Sequence, residues 1–225
     1  MNTELTISSL YLFCFQIILF IVKKKSTLSN RNNIHIASKM TSCINAGLAV
    51  ISSYLYIIGY TDIKDVANYL IIMRGYLIFD CANISYYSNY FELKSTLLHH
   101  ISLFFITYID LQYKQNAYYV ARGLMGEFTN FSLYFGWFLL KKNLGQSKLF
   151  KLNAYVLIIL WFILRSLNFT HLTWHILTNK YGYSEKTTIF ILSCLNNFWF
   201  YKLAKKGIEM KKTNKITFTK EEKDY

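Results

Sequence analysis

His99 and His100 stand next to each other near the start of an apolar stretch, and the following hydrophobic segment carries Arg122 and Glu127. Ionisable side chains at membrane depth are costly and mark function more often than architecture. Imidazole can serve as general base, general acid or nucleophile near neutral pH. Neighbours on a helix point about 100° apart, so one of the two histidines is expected to be the site residue. Glu127 and Asn130 are three apart and share a helix face, which Tyr134 extends by a turn. Arg122, five residues before Glu127, is poorly placed to pair with it in the same helix, so the carboxylate needs a histidine or arginine from another span. Glu127 holding His99 or His100 would form the carboxylate–histidine part of a catalytic relay. The alternatives are interfacial histidines bonded to neighbours and a polar clamp between helices. Adjacent histidines chelate poorly and have no His or Cys four residues away, so no metal site is expected.

Further candidates lie along the other segments. Of 25 basic residues only four are arginines, and Arg74, Arg122 and Arg165 fall inside apolar windows while the lysines crowd the loops. Arginine keeps its charge and offers five donors, so it suits a buried polar site; the alternative is snorkelling to an interface. Arg74 and Asp80 are six apart and do not pair along one helix, which leaves Asp80 for the interior cluster. Asn45, Asn83 and Asn168 add polar points. Gly123 and Gly126 thin one face of the fifth segment and allow close backbone approach.

The elements that must position these residues are transmembrane helices. The 225 residues are 53% hydrophobic, and windows of near-membrane length run from Leu5 to Val22, Met40 to Tyr60, Val66 to Tyr87, Leu97 to Ile109, Ala117 to Leu140, Leu152 to Trp174 and Thr187 to Leu203. The fourth is short and is either re-entrant or extended at its N-terminal end. The expected fold is all-α, a polytopic bundle of about seven spans. A net charge of +13 would suggest nucleic acid in a soluble protein, but the basic residues flank apolar segments, so no nucleic-acid partner is expected. They concentrate in alternate loops, at 23–39, 88–96, 141–151 and beyond Tyr201, which puts the N-terminus outside or lumenal and the C-terminus cytosolic. The first segment, with Glu4 before it and Lys23, Lys24 and Lys25 after it, reads as an uncleaved reverse signal anchor. Cys14, Cys43, Cys81 and Cys194 lack paired spacing and read as packing residues. The basic stretch before Lys39 separates residues 1–37 from a six-helix domain at 38–203, and residues 204–225 read as a disordered basic tail.

Four runs in order, Ser38–Cys43, Gly75–Asp80, Leu98–Ile101 and Glu127–Asn130, resemble the TLC domain. That family includes the ceramide synthases, the translocating-chain-associated membrane proteins and the small TLC-domain-containing transmembrane proteins, and the last group is the most similar. The resemblance implies a six-helix core around an intramembrane cavity that takes a lipid chain, usually in the endoplasmic reticulum. In the ceramide synthases the paired histidines are catalytic, and His99 and His100 are the matching positions. Placing Glu127 on the first of two synthase aspartates leaves Gly126 where a histidine stands and Asn130 on the second aspartate. Many relatives carry a further histidine in the second span, near the place of Asn45.

The resulting expectation is a lipid-binding membrane protein that influences membrane lipid composition, with Asp80, Arg122, Asn130, Tyr134, Arg74 and Arg165 as binding residues and no cofactor. The alternative is an N-acyltransferase in which His99, His100 and Glu127 are catalytic, acyl-CoA is the co-substrate and the loop Lys141 to Lys151 meets its phosphates. A trafficking or translocation accessory is a third. Protein partners and oligomeric state are not legible.

Overall fold

A chain without proline, whose apolar runs end in short polar loops, has few internal reasons to break a helix. A computed structural model describes residues 2–26, 28–88, 93–113 and 117–213, and among these the regular elements are all helical. They are α1 (Asn2–Lys25), α2 (Asn30–Ile57), α3 (Ile63–Tyr86), α4 (Leu93–Tyr113), α5 (Ala117–Leu124), α6 (Thr129–Lys141), α7 (Lys148–Trp161), α8 (Asn168–Thr178) and α9 (Tyr183–Thr213). A 3-10 turn, Met125–Phe128, joins α5 to α6, and a π turn, Phe162–Leu167, joins α7 to α8. Each of these pairs is therefore one rod, and the seven rods overlie the seven apolar windows.

Starts and stops follow from local chemistry. Ser29, Asp62 and Ser147 each accept a backbone N–H in the first turn of α2, α3 and α7, and Asp65 returns a bond to the Asp62 backbone to complete a capping box. Asn143, at φ 58°, takes the left-handed conformation that closes the turn after α6. α4 starts at Leu93, so the short fourth window is extended at its N-terminal end and reaches about 31 Å.

The chain divides into two compact units, residues 1–121 and residues from Arg122 onward. In the first, α1 runs parallel to α3, while α2 and α4 run antiparallel to it. Tyr11 of α1 packs edge-on against Tyr76 of α3 and donates to Asn45 of α2. The buried positions of α2 are mostly small or polar, including Ala37, Thr41, Asn45, Ala46, Ala49 and Ser53, which lets its neighbours approach closely. Gly75 takes this furthest, because a Cβ there would lie 2.5 Å from Ile7 Cγ2 and 2.6 Å from Ile7 Cβ. In the second unit α6 packs antiparallel on α7, where Ser132 bonds Asn153, and the α7–α8 rod packs antiparallel on α9.

α1 buries Tyr11, Phe15 and Leu19 and turns Leu10, Phe13, Ile17 and Phe20 outward. In water such a surface would aggregate; in a bilayer it is the solvated face. By length and composition α1, α2 and the α7–α8 rod, Lys148–Thr178, are long and apolar enough to cross a membrane. α3 is set apart from them by Arg74 and Asp80, whose partners lie inside the fold.

One expected boundary moves. The separation drawn at 37/38 is replaced by a short link after Lys25, because Ser29 caps α2 early and α1 packs on α2 and α3 as part of their unit. α9 continues past Ala204 to Thr213, and Gly207 packs against Ile158 of α7. Residues 214–225 lie outside the described residues.

Gly75→Ala is expected to lower stability by about 1–3 kcal/mol through overpacking on Ile7. Gly123→Ala, whose new Cβ would meet only side-chain atoms at 3.7 Å or beyond, should leave stability unchanged or raise it. Thermal unfolding of both variants in detergent checks this; a Gly75→Ala protein as stable as the parent would show that α1 is not seated on α3.

Candidate functional site

The capping box at Asp62 and Asp65 starts α3, and about five turns later the helix presents Asp80, which is 5% exposed, to α4. Its carboxylate Oδ2 lies 3.4 Å from Nδ1 of His100. The Tyr76 hydroxyl and the Lys39 ammonium of α2 act on the same carboxylate, and Tyr76 in turn bonds Ser42 at 2.8 Å. His99 is buried, and its ring lies 5.6 Å from that of His100 at an interplanar angle of 47°. Of the adjacent histidines, His100 is the one that meets the acid. His100 Nδ1 is enclosed and makes no hydrogen bond among the described residues, so the contact is a close approach of acid and imidazole with the ring nitrogen still to be satisfied.

Arg74 is held elsewhere on α3. Its Nη2 lies 2.6 Å from Glu4 Oε1, and the guanidinium sits 5.5 Å from the centre of the Tyr108 ring, so the charge ties α1 and α4 to α3.

In the second unit the polar residues assemble around Arg165, which is 3% exposed. Its Nε donates to the Gly126 carbonyl at 3.1 Å and to Thr129 Oγ1 at 2.8 Å. Its Nη1 donates to Asn196 Oδ1 at 3.2 Å, and its Nη2 to Glu127 Oε1 at 3.3 Å and Asn130 Oδ1 at 3.1 Å. Asn130 also donates to Glu127 Oε2 at 2.6 Å, and the Trp161 ring lies 4.7 Å from the guanidinium carbon. Gly126 makes room, since a Cβ there would sit 3.4 Å from Arg165 Cγ. The partner of Glu127 within its unit is therefore an arginine from another rod, which holds one carboxylate oxygen while Asn130 holds the other. Asn168 bonds the Arg122 carbonyl at 2.7 Å, and Arg122 Nη1 lies 3.4 Å from Nδ1 of His171. Tyr134 is half-buried one turn after Asn130.

Within the first unit Asp80, His99 and His100 come together, and the acid that meets His100 there is Asp80; within the second unit Glu127, Asn130 and Arg165 come together. Two contributors were not singled out in the sequence. Asn196 is fully buried and bonds Arg165, but looks like one more asparagine in an Asn-rich chain. His35 was read as part of a loop; the early start of α2 makes it a buried histidine of the second rod. Among the described residues no cluster of three or more His, Cys, Asp or Glu side chains could hold a metal ion.

Arg165→Met is expected to cost about 3–5 kcal/mol, because Glu127 keeps its charge without its partner. Adding Glu127→Gln should recover a large part of that loss. A double-mutant cycle of thermal unfolding measures the coupling, and additive effects would refute the clamp.

The chain was also compared with known proteins. No curated protein and no solved structure matches it. The family model of the TLC domain matches residues 4–205, which includes α1 as well as the six following rods. With nearly the whole helical chain matched, this integral membrane protein belongs to the TLC-domain family.

Proposed function

We propose that this protein binds a lipid with its acyl chain in an intramembrane cavity and its polar end at Asp80, His99 and His100, and that it thereby influences membrane lipid composition. The observation that carries this reading is the Asp80–His100 contact: a nearly buried acid and imidazole whose remaining polar capacity is not consumed by a dense network of the Arg165 kind. Asp80 lies about 9 Å along α3 from its C-terminal end and His100 about 10 Å along α4 from its N-terminal end. The basic loops assign those ends to the cytosolic side, so the pair would meet a headgroup or carbonyl in the cytosolic leaflet, with the N-terminus lumenal and the endoplasmic reticulum as the membrane. A tag at Tyr225 should be digested by protease once the plasma membrane is permeabilised; a protected tag would reverse the orientation.

The same contact favours one second reading, N-acyl transfer. Asp80 would hold the Nδ1 proton of His100 while Nε2 takes a proton from an attacking amine. The amine nitrogen bonds the thioester carbonyl of acyl-CoA, the carbon–sulfur bond breaks, and the CoA thiolate recovers the proton, giving an amide and free CoA. In this scheme the positioning carboxylate is Asp80 rather than Glu127.

One preparation tests both. Lipid copurifying with the parent protein should fall about tenfold in Asp80→Asn and His100→Ala, measured by mass spectrometry of extracts. A clean, empty parent protein would refute lipid binding. Membranes from cells lacking their own ceramide synthases, supplied with acyl-CoA and a sphingoid base, decide the second reading. Amide formation abolished by His100→Ala makes the protein an acyltransferase; silence from a folded protein across several chain lengths removes that reading.

A further inference from the structure

One turn beyond Asp80, on the same face of α3, Asn83 is 7% exposed, and its side-chain nitrogen is fully enclosed with no hydrogen-bond partner among the described residues. Its backbone carbonyl accepts from Tyr87, so the main chain is satisfied and the amide nitrogen is the exception. A buried donor left unmade costs about 1–3 kcal/mol, and a fold keeps such a group where something outside the protein completes it. Elsewhere among the described residues buried asparagine amide nitrogens find protein acceptors, although Asn33 Oδ1 is also left without a partner. The side-chain amides of Asn130, Asn153, Asn168 and Asn196 all donate to protein acceptors.

We propose that Asn83 is a ligand-binding residue of the α3–α4 site, and that its amide donates to an oxygen acceptor at the polar end of the bound lipid, a carbonyl or hydroxyl one helical turn from the Asp80–His100 pair. This rests on the lipid-binding reading above and adds a chemical class to it. The ligand carries an accepting oxygen at the head of its chain, and a hydrocarbon chain alone does not complete the site. Asp80 accepts and Asn83 donates, so the two α3 side chains offer complementary poles to a group such as an amide, which has both a donor and an acceptor.

The test uses the full-length protein in detergent with two photoreactive, click-tagged probes of palmitate length, one a methyl ester and one the oxygen-free hydrocarbon. The ester should label the parent about tenfold more than the hydrocarbon. Asn83→Leu should lower ester labelling to the hydrocarbon level and leave hydrocarbon labelling unchanged. It should also raise the unfolding temperature of the delipidated protein, because a group whose only partner is the ligand weakens the empty fold. A residue needed only for architecture would move stability the other way. Ester labelling equal in parent and Asn83→Leu, with His100→Ala still reducing it, overturns the role of Asn83 and keeps the lipid site. A parent labelled by neither probe overturns both.

Discussion

A charge taken into hydrocarbon must bring its counterpart with it, because no water is there to screen it or complete its hydrogen bonds. The second unit is organised around this constraint at Arg165. Its donors reach acceptors on the 3-10 turn, on α6 and on α9, so one side chain ties together rods that lipid-facing apolar surfaces would hold only weakly. The backbone departs from α geometry at both places the guanidinium involves. The tight turn at Met125–Phe128 presents the Gly126 carbonyl to it, and the π turn at Phe162–Leu167 contains Arg165 itself. Leu157, Trp161, Arg165, Phe169 and Thr173 are all buried at a spacing of four. On a straight α-helix that spacing rotates the buried face by about 40° at each step, and the wider π turn absorbs part of the drift.

The first unit solves the same problem differently. Arg74 is neutralised by Glu4 across α1 and α3, which serves packing. Asp80 meets His100, Tyr76 and Lys39 from three helices, and the Asn83 amide beside it lacks a partner among the described residues. A saturated cluster and an unsaturated one of similar composition differ in what they can do. Arg165 can resist being pulled apart, while the group around Asp80 can exchange bonds with something that enters. Its amide also costs less to leave unpaired than a guanidinium would.

Much of the fold was legible because a bilayer enforces it. Apolar windows gave seven rods in the right places, and the TLC-like runs pointed to the family that the match over residues 4–205 establishes. What was not legible depends on helix rotation and on the start of each helix. Ser29 begins α2 before the hydropathy rises, so His35 and Lys39, which read as loop, belong to a buried helix face. The choice between Asp80 and Glu127 as the acid beside histidine could not be made from spacing, since both stand on faces that could be turned inward. Within the first unit the face of α3 that packs on α4 sets Asp80 beside His100, and within the second Arg165 engages Glu127.

The adjacency of His99 and His100 then acquires a physical sense. Two imidazoles side by side on one helix leave it about 100° apart, so they cannot both face the acid of a neighbouring helix in the same way. His100 turns to Asp80, and the buried ring of His99 lies beside it at 5.6 Å. A pair of histidines beside one aspartate in this way offers an entering group one imidazole set against an acid and a second ring next to it, an arrangement that either lipid-headgroup binding or acyl transfer at this position can use.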